Sequence, residues 1–406
     1  MKSVFPPEFF KGNRERLQQA AKADVLVLAG HGQLQRNGDG TFPFRQNSNF
    51  WYLTGIDEPD AVLVMTKQES FVMLPGRTDV KNLWDGQVDF KELAVRSGVD
   101  KILNIEIGWR RLEKQLKSAK KIGRIELPSP YIDRLGFYTN PAPHAFARRL
   151  TEAAPNTAKY LNIAPMLAAQ RMVKQPLELM VIQHAVDITV ETLREVLARP
   201  FNHEYELEAA ITEGFRRRGA SGHAYDPIVA SGPNTCTIHA MHNNDPIDKH
   251  SLILVDVGAE VNNYAADISR TVSPVIASQR QQAVYDAVFE VQEWAKQQLK
   301  PGVLIKEYEE AVAAYMGKQL KKLKLITTQD KASIRKYYPH ATGHSLGLDV
   351  HDAADYDRPL EPGMVLTVEP GIYIPEEKIG VRLEDDVLIT KTGIKVLSDD
   401  LPRTLA

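Results

Sequence analysis

Apolar and polar positions alternate in two different ways along the chain. From the start to about residue 165, short apolar runs at Asp24–Gly30, Ala61–Met65, Ser70–Pro75 and Ile122–Leu127 are separated by polar, helix-like stretches such as Lys11–Lys22 and Phe90–Ser97. That alternation predicts a small α/β domain. The proline-bearing stretch Pro141–Pro165 follows, with Asn156-Thr157 set between helical residues. A long amphipathic pattern then starts at Pro176, a residue suited to the first turn of a helix. The boundary is therefore expected near residue 168, with an N-terminal domain over 1–168 and a second domain over 169–406.

In the second domain the pattern predicts helices over roughly 176–198 and 204–218, then a β-rich stretch from Tyr225 to Pro274. Helices over roughly 278–299 and 306–322 lead to a second β-rich stretch, Pro339 to Leu397. Strands with hairpin signals and helices grouped between them give an α+β class. No short-period repeat or low-complexity segment interrupts the pattern.

Composition narrows the function classes. A chain of 406 residues is long for one core, and 50 Lys+Arg against 52 Asp+Glu leave no global field to attract nucleic acid or an anionic membrane. The single cysteine, Cys236, excludes an intrachain disulfide framework; it reads as a small core residue and fits a reducing compartment. Two prolines and early charges occupy the N-terminus where a signal peptide needs an unbroken apolar run, and no run elsewhere reaches membrane-spanning length. A soluble, cytoplasmic protein is expected.

Three segments carry candidate chemistry. In SLILVDVGAEVNNYAADISRTVSP an apolar run ends in Asp256, and Asn262-Asn263 turns the chain back towards Asp267. If that turn is a two-residue loop, Gly258 lies opposite Asp267 and the two carboxylates are diagonal neighbours on one face. They then either converge on shared cations or decorate a solvated hairpin.

The second segment, YYPHATGHSLGLDVHD, presents His340, His344 and His351. Pro339 and Gly343 rule out a regular helix, and with it a helical zinc motif. Three of the 11 histidines within twelve residues, among glycines that permit sharp bends, mark a site as readily as a set of ordinary hydrogen-bonded histidines. In the third segment, GMVLTVEPGIYIPEEKIGVRLEDDVLIT, two strands surround a turn near Pro375. Arg382 and Glu384 share a face, and Asp385 and Asp386 are expected on a polar outer face. Oxygen-rich ligation with one imidazole favours Mn²⁺ over a thiolate zinc site, with Co²⁺, Fe²⁺ or Zn²⁺ also admissible. Four carboxylates would balance two divalent cations, as a two-metal hydrolase requires.

At these residues the chain resembles aminopeptidase P and prolidase, the X–Pro-specific peptidases of the pita-bread fold. The matching pieces are IVASGPNTCTIH, VDVGAE with AADISRT, HATGHSLGLDVHD, GMVLTVEPGIYI and GVRLEDD, in the family's order. The segment FPFRQNSNFWYLTGIDEPDAVLV also resembles the aminopeptidase P N-terminal domain. The resemblance implies that Asp256 chelates one metal and that His344 and Glu369 bind the other. Asp267 and Glu384 would bridge the pair, and a hydroxide nucleophile would lie between the ions. It further implies that Glu369 moves a proton to the departing proline nitrogen, and that His239 and His351 lie beside the substrate, with His351 stabilising the tetrahedral intermediate. His340, Tyr373 and Arg382 would shape the proline pocket or orient ligands.

Trp84, in NLWDG, is either a core aromatic or, by the resemblance, a residue reaching into a neighbouring subunit's site in a dimer or tetramer. The implied substrates are peptides with proline at the second position. Met241 after His239-Ala240, the short Pro375–Gly380 turn and the early end after Leu397 depart from the family pattern and bear on pocket shape and oligomer contacts. Prolidase is the alternative activity. A metal-free pita-bread binding module is the alternative class, and it would be expected to have lost several of the five metal residues that this chain retains.

Overall fold

The computed structural model describes residues 4–127, 132 and 135–405. The chain divides into two compact units, residues up to Gln170 and residues from Arg171 onward.

The first unit is built on a six-stranded mixed sheet. Its strand order is Lys101–Asn104, Ser70–Leu74, Val62–Thr66, Val25–Ala29, Lys121–Arg124, Lys159–Asn162. Val25–Ala29 pairs antiparallel with Val62–Thr66 and parallel with Lys121–Arg124. Trp109, Leu112 and Leu116, spaced along the helix Ile105–Leu116, cover one face together with Leu150, burying Val25, Val27, Val64 and Ile122. The four apolar runs expected to be strands are all present in this sheet.

The stretch Pro141–Pro165 is more ordered than its prolines suggest. Asn140 caps the helix Pro141–Ala153 by accepting the Ala142 N–H, and proline is at home in that first turn. A strand, Lys159–Asn162, and the helix Ala164–Met172 follow. Prolines at helix starts therefore mimic a linker in sequence. By contrast, the helix Asp79–Asp85 buries none of its residues: Leu83 is 84% exposed and Trp84 is 81% exposed. The core reading of Trp84 does not hold.

In the second unit the helices Pro176–Val196, Glu204–Arg217, Gln279–Gln298 and Ile305–Lys322 lie within a residue or two of their expected bounds. The short helix Lys331–Tyr337, not expected from the pattern, stops before Pro339. Val284, Val288, Val291, Val312, Met316 and Leu320 pack with Val368, Ile372, Val381 and Val387 in one core.

Two long antiparallel hairpins give this unit its functional shape. In the first, Val261 pairs with Tyr264 and Val257 with Ile268, so one register runs through the hairpin and sets Gly258 across from Asp267. Asn262 and Asn263 both take positive φ, 46° and 69°, as a two-residue turn of this hand requires. In the second, Val368 pairs with Asp385 and Gly371 with Arg382. This is again one register, and it places Glu369 across from Glu384. The expected two strands are thus four short ones, broken at 369–370 and 383–384.

Candidate metal centre

Asp267, Glu369 and Glu384 stand at breaks in the two hairpins, and Asp256 next to one, in the strand Ile253–Val257. At Gly258 an added Cβ would stand 1.7 Å from Ala266 O, so only glycine lets the strands approach here. Asp256 and Asp267 then meet on one face: Tyr225 Oη lies 2.5 Å from Asp256 Oδ1 and 2.6 Å from Asp267 Oδ1. One phenolic proton cannot serve two ionised acceptors at once, so a further proton or cation is needed among these three oxygens. Tyr225 was not singled out by sequence; nothing in its local pattern separates it from any other aromatic beside a strand.

His344 supplies the imidazole. Its Nδ1 lies 3.1 Å from Ser345 O and donates there, and Nε2 faces Asp267 Oδ2 at 3.4 Å and Glu369 Oε1 at 3.5 Å, where its proton serves these acids and its loss would free a lone pair for a cation. Donor atoms of Asp267, His344 and Glu384 all lie within 4.8 Å of one another. Ser269 Oγ donates to Glu384 Oε2 at 2.7 Å while accepting from Arg382 Nε at 3.0 Å.

Arg382 holds three partners through its three nitrogens. Beyond Ser269, it donates to Asp256 Oδ2 at 2.5 Å and to Tyr373 Oη at 2.8 Å. His340 Nδ1 donates to Ala341 O at 2.8 Å, so its Nε2, 2.8 Å from Tyr373 Oη, accepts the tyrosine proton. A directed chain Arg382, Tyr373, His340 results. Burial, and then the Arg382 charge, hold His340 down to about 4, so it stays neutral, as that chain requires.

The electrostatics show what the pocket lacks. Burial raises Glu369 to about 7, with Asp267 and Asp256 adding to the rise and His344 and Arg382 opposing it. Glu384 is raised well above its ordinary value by burial and by Asp267, Glu369 and Asp256, and Asp267 is raised by burial foremost. Burial disfavours a charged His344, yet Asp267 and Glu369 bring it up to about 9. Four carboxylates face two positive groups, so protons stand in for missing positive charge. Divalent cations bound by carboxylate oxygens and one imidazole nitrogen fit this donor set.

Asp385 and Asp386 correct the expected outer face, since both are buried. Asp385 belongs to a separate ion cluster, whereas Asp386 Oδ2 accepts the Asp267 backbone N–H at 3.0 Å from behind. Period-two alternation fails here because both faces of the strand are covered. Among the remaining candidates, His351 is solvent-accessible and its ring lies 4.2 Å from that of His344. His239 is exposed and close enough to act electrostatically on His351. Trp84 belongs to the first unit, on the exposed helix described above.

An acid-rich pocket that needs external positive charge, carried on two broken hairpins of a unit that follows an α/β N-terminal unit in sequence, defines a metal-dependent hydrolase of the pita-bread architecture. The chain belongs to metallopeptidase family M24, which matches residues 181–391, and residues 10–123 match the aminopeptidase P N-terminal domain. It is 35% identical to the Xaa-Pro aminopeptidase of Haemophilus influenzae, covering 99% of this chain and 96% of that protein. Among solved structures, Pseudomonas aeruginosa aminopeptidase PepP superposes with a TM-score of 0.88 at 30% identity, covering 100% of this chain and 97% of that one. Zinc-substituted Escherichia coli aminopeptidase P in complex with product gives 0.87 at 30% identity, covering 99% and 97%. Among the described residues no helix is long and apolar enough to cross a membrane.

Proposed function

We propose that this chain is an Xaa-Pro aminopeptidase that removes the N-terminal residue from peptides with proline at the second position, using two divalent cations, Mn²⁺ by preference. The observation that carries the reading is the mirrored placement of the acids: Glu369 across from Glu384 in one hairpin, Asp256 diagonal to Asp267 in the other, and His344 facing Asp267 and Glu369. In this reading Asp256 would hold one ion, His344 and Glu369 would hold the other, and Asp267 and Glu384 would serve both. Bound ions would polarise the scissile carbonyl and lower the pKa of attacking water.

The chain's own groups do the rest. Glu369 takes the proton of the attacking water and returns it to the departing proline nitrogen. His351, beside His344, donates to the carbonyl oxygen as it gains charge. His239 lies along the substrate, and the Arg382–Tyr373–His340 chain fixes the wall of the proline pocket. Trp84 meets peptide in a neighbouring subunit of a homo-oligomer, dimer or tetramer, which agrees with its exposure on a helix that buries nothing. The balanced charge gives no attraction to nucleic acid or membranes, and the lone thiol Cys236 agrees with a cytoplasmic setting.

The test is cleavage of an X–Pro dipeptide, an X–Pro-Y tripeptide and longer peptides by the Mn²⁺-loaded protein. Tripeptide and longer substrates should be cut at the X–Pro bond. Cleavage of the dipeptide alone would make the protein a prolidase.

A further inference from the structure

The loop 340–344 carries two imidazoles of the pocket without regular secondary structure. Irregular loops are ordinarily the more mobile parts of a fold, so something must hold this one. One side is fixed by the strand Val365–Val368. Thr367 N–H donates to His344 O at 2.9 Å, Thr367 Oγ1 accepts the His344 N–H at 3.0 Å, and an added Cβ at Gly343 would stand 2.1 Å from Thr367 O.

The other side meets the helix Ile305–Lys322 through one residue, Glu309. Both of its carboxylate oxygens lie 2.9 Å from Thr342 N, and Oε2 is 3.1 Å from Thr342 Oγ1. Tyr338 Oη is 2.6 Å from the same Oγ1. An ionised carboxylate only accepts, so the Thr342 hydroxyl donates to Glu309 and the Tyr338 hydroxyl donates to Thr342. Thr342 O in turn accepts the Glu369 N–H at 2.7 Å. One residue, Thr342, therefore links the helix to Glu369 and, two residues on, to the backbone of His344.

Glu309 is an unusual choice for this place. Burial pushes its pKa up, and the Thr342 N–H and hydroxyl work against that rise. Among the described residues no cation forms an ion pair with it. A half-buried carboxylate eased only by the more distant charge of Arg335 costs free energy that an apolar side chain would not.

We propose that Glu309 is a positioning residue of the metal centre: through Thr342 it fixes the backbone that presents His344 and Glu369, and so sets the affinity for the cation these two residues hold. This rests on the metal assignment proposed above. Groups that orient ligands without touching the ion change metal affinity by about ten- to a hundredfold when removed.

The experiment is a Mn²⁺ titration of wild type, Glu309→Ala and Glu309→Gln by calorimetry, with urea unfolding of each metal-free protein. In Glu309→Ala one of two Mn²⁺ should bind about tenfold or more weakly. The loss should be smaller in Glu309→Gln, which keeps one acceptor for the Thr342 N–H. A Glu309→Ala isotherm matching that of wild type overturns the proposal. Equal weakening of both ions together with a lowered urea midpoint in Glu309→Gln also overturns it, because that is a general structural effect. Should Glu309→Ala fail to fold, Glu309→Gln decides alone. Wild type that takes up no Mn²⁺ would remove the metal assignment, and the proposal with it.

Discussion

Two clusters of buried acid stand next to each other at the start of the strand Asp385–Ile389, and they are kept by opposite means. Asp385, 1% exposed, accepts from Arg270 at 2.8 Å, Lys296 at 2.7 Å, Ser398 at 2.6 Å and Gln292 at 3.1 Å. Burial works to raise its pKa, but Arg270 and Lys296 overcome this and hold it at about 2. One residue earlier, Glu384 meets Ser269 and three other acids, and its pKa is driven well above the ordinary value. The first cluster is neutralised by cations of the same chain. In the second, burial and neighbouring acids prevail, a pattern that separates functional clusters from ion pairs that hold a fold.

The most damaging break of this contrast is at the acids assigned to both ions. Asp267→Asn or Glu384→Gln should lower kcat by about a thousandfold or more, with loss of bound Mn²⁺, while the metal-free protein loses no stability because a repelling carboxylate has gone. Metal analysis and kinetics check the first part, and urea unfolding in EDTA the second. Retained Mn²⁺ in both variants would sink the assignment. His351→Ala should lower kcat and kcat/KM together by about a hundredfold with metal content unchanged, as for a donor acting in the transition state. His344→Ala, in contrast, should lose one ion and recover part of its activity in excess Mn²⁺.

The neutralised cluster should answer in stability. Asp385→Ala leaves Arg270 buried without its carboxylate and Lys296 with Glu293 alone, and is expected to cost about 3–5 kcal/mol in urea unfolding. The pH dependence of the two clusters has opposite sign. Asp385 is lowered from 3.8 to about 2, so its contribution is present above pH 3.8 and is lost as pH falls through 2. Glu369 is raised from 4.5 to about 7 and His344 from 6.5 to about 9 in the metal-free chain. Their contributions are complete below those ordinary values and are lost as pH rises through 7 and 9. Calorimetry in EDTA should therefore show Tm falling from about pH 5 to about pH 9, and saturating Mn²⁺ should abolish most of that fall. An unchanged alkaline slope with Mn²⁺ would separate these residues from the metal. The smallest effect belongs to Trp84→Ala, which should change stability by less than about 0.5 kcal/mol, since the ring is 81% exposed, yet alter cleavage of longer peptides. Identical kinetics at every peptide length would remove Trp84 from the site.

Much of this could be read from the residue pattern, because periodicity reports backbone geometry. The helices of the second unit and the Asn262-Asn263 turn were legible for that reason, and the turn fixed the register that brings Asp256 near Asp267. What escaped were residues whose role depends on a partner distant in sequence. Tyr225 reaches Asp256 and Asp267 across 31 and 42 residues, and Glu309 reaches Thr342 across 33. Asp385 and Asp386 were misjudged because charge in a strand suggests solvent, and their cover comes from segments as remote as Lys296 and Ser398. The helix Pro141–Ala153 was hidden by prolines that open it.

The common register of each hairpin also limits how the chain can vary in length. Glu369 faces Glu384 only if each lies the same number of residues from the turn, and Asp256 meets Asp267 diagonally only while it lies two residues further from its turn than Asp267 does. One residue gained between either acid and its turn would swing that acid to the opposite side of the sheet. One gained at the tips, beyond Ile374 or between Val261 and Tyr264, would leave every acid where it is. Within these hairpins spare length is therefore available at the two turns, and insertions or deletions there should be tolerated where the same change a few residues inward abolishes metal binding.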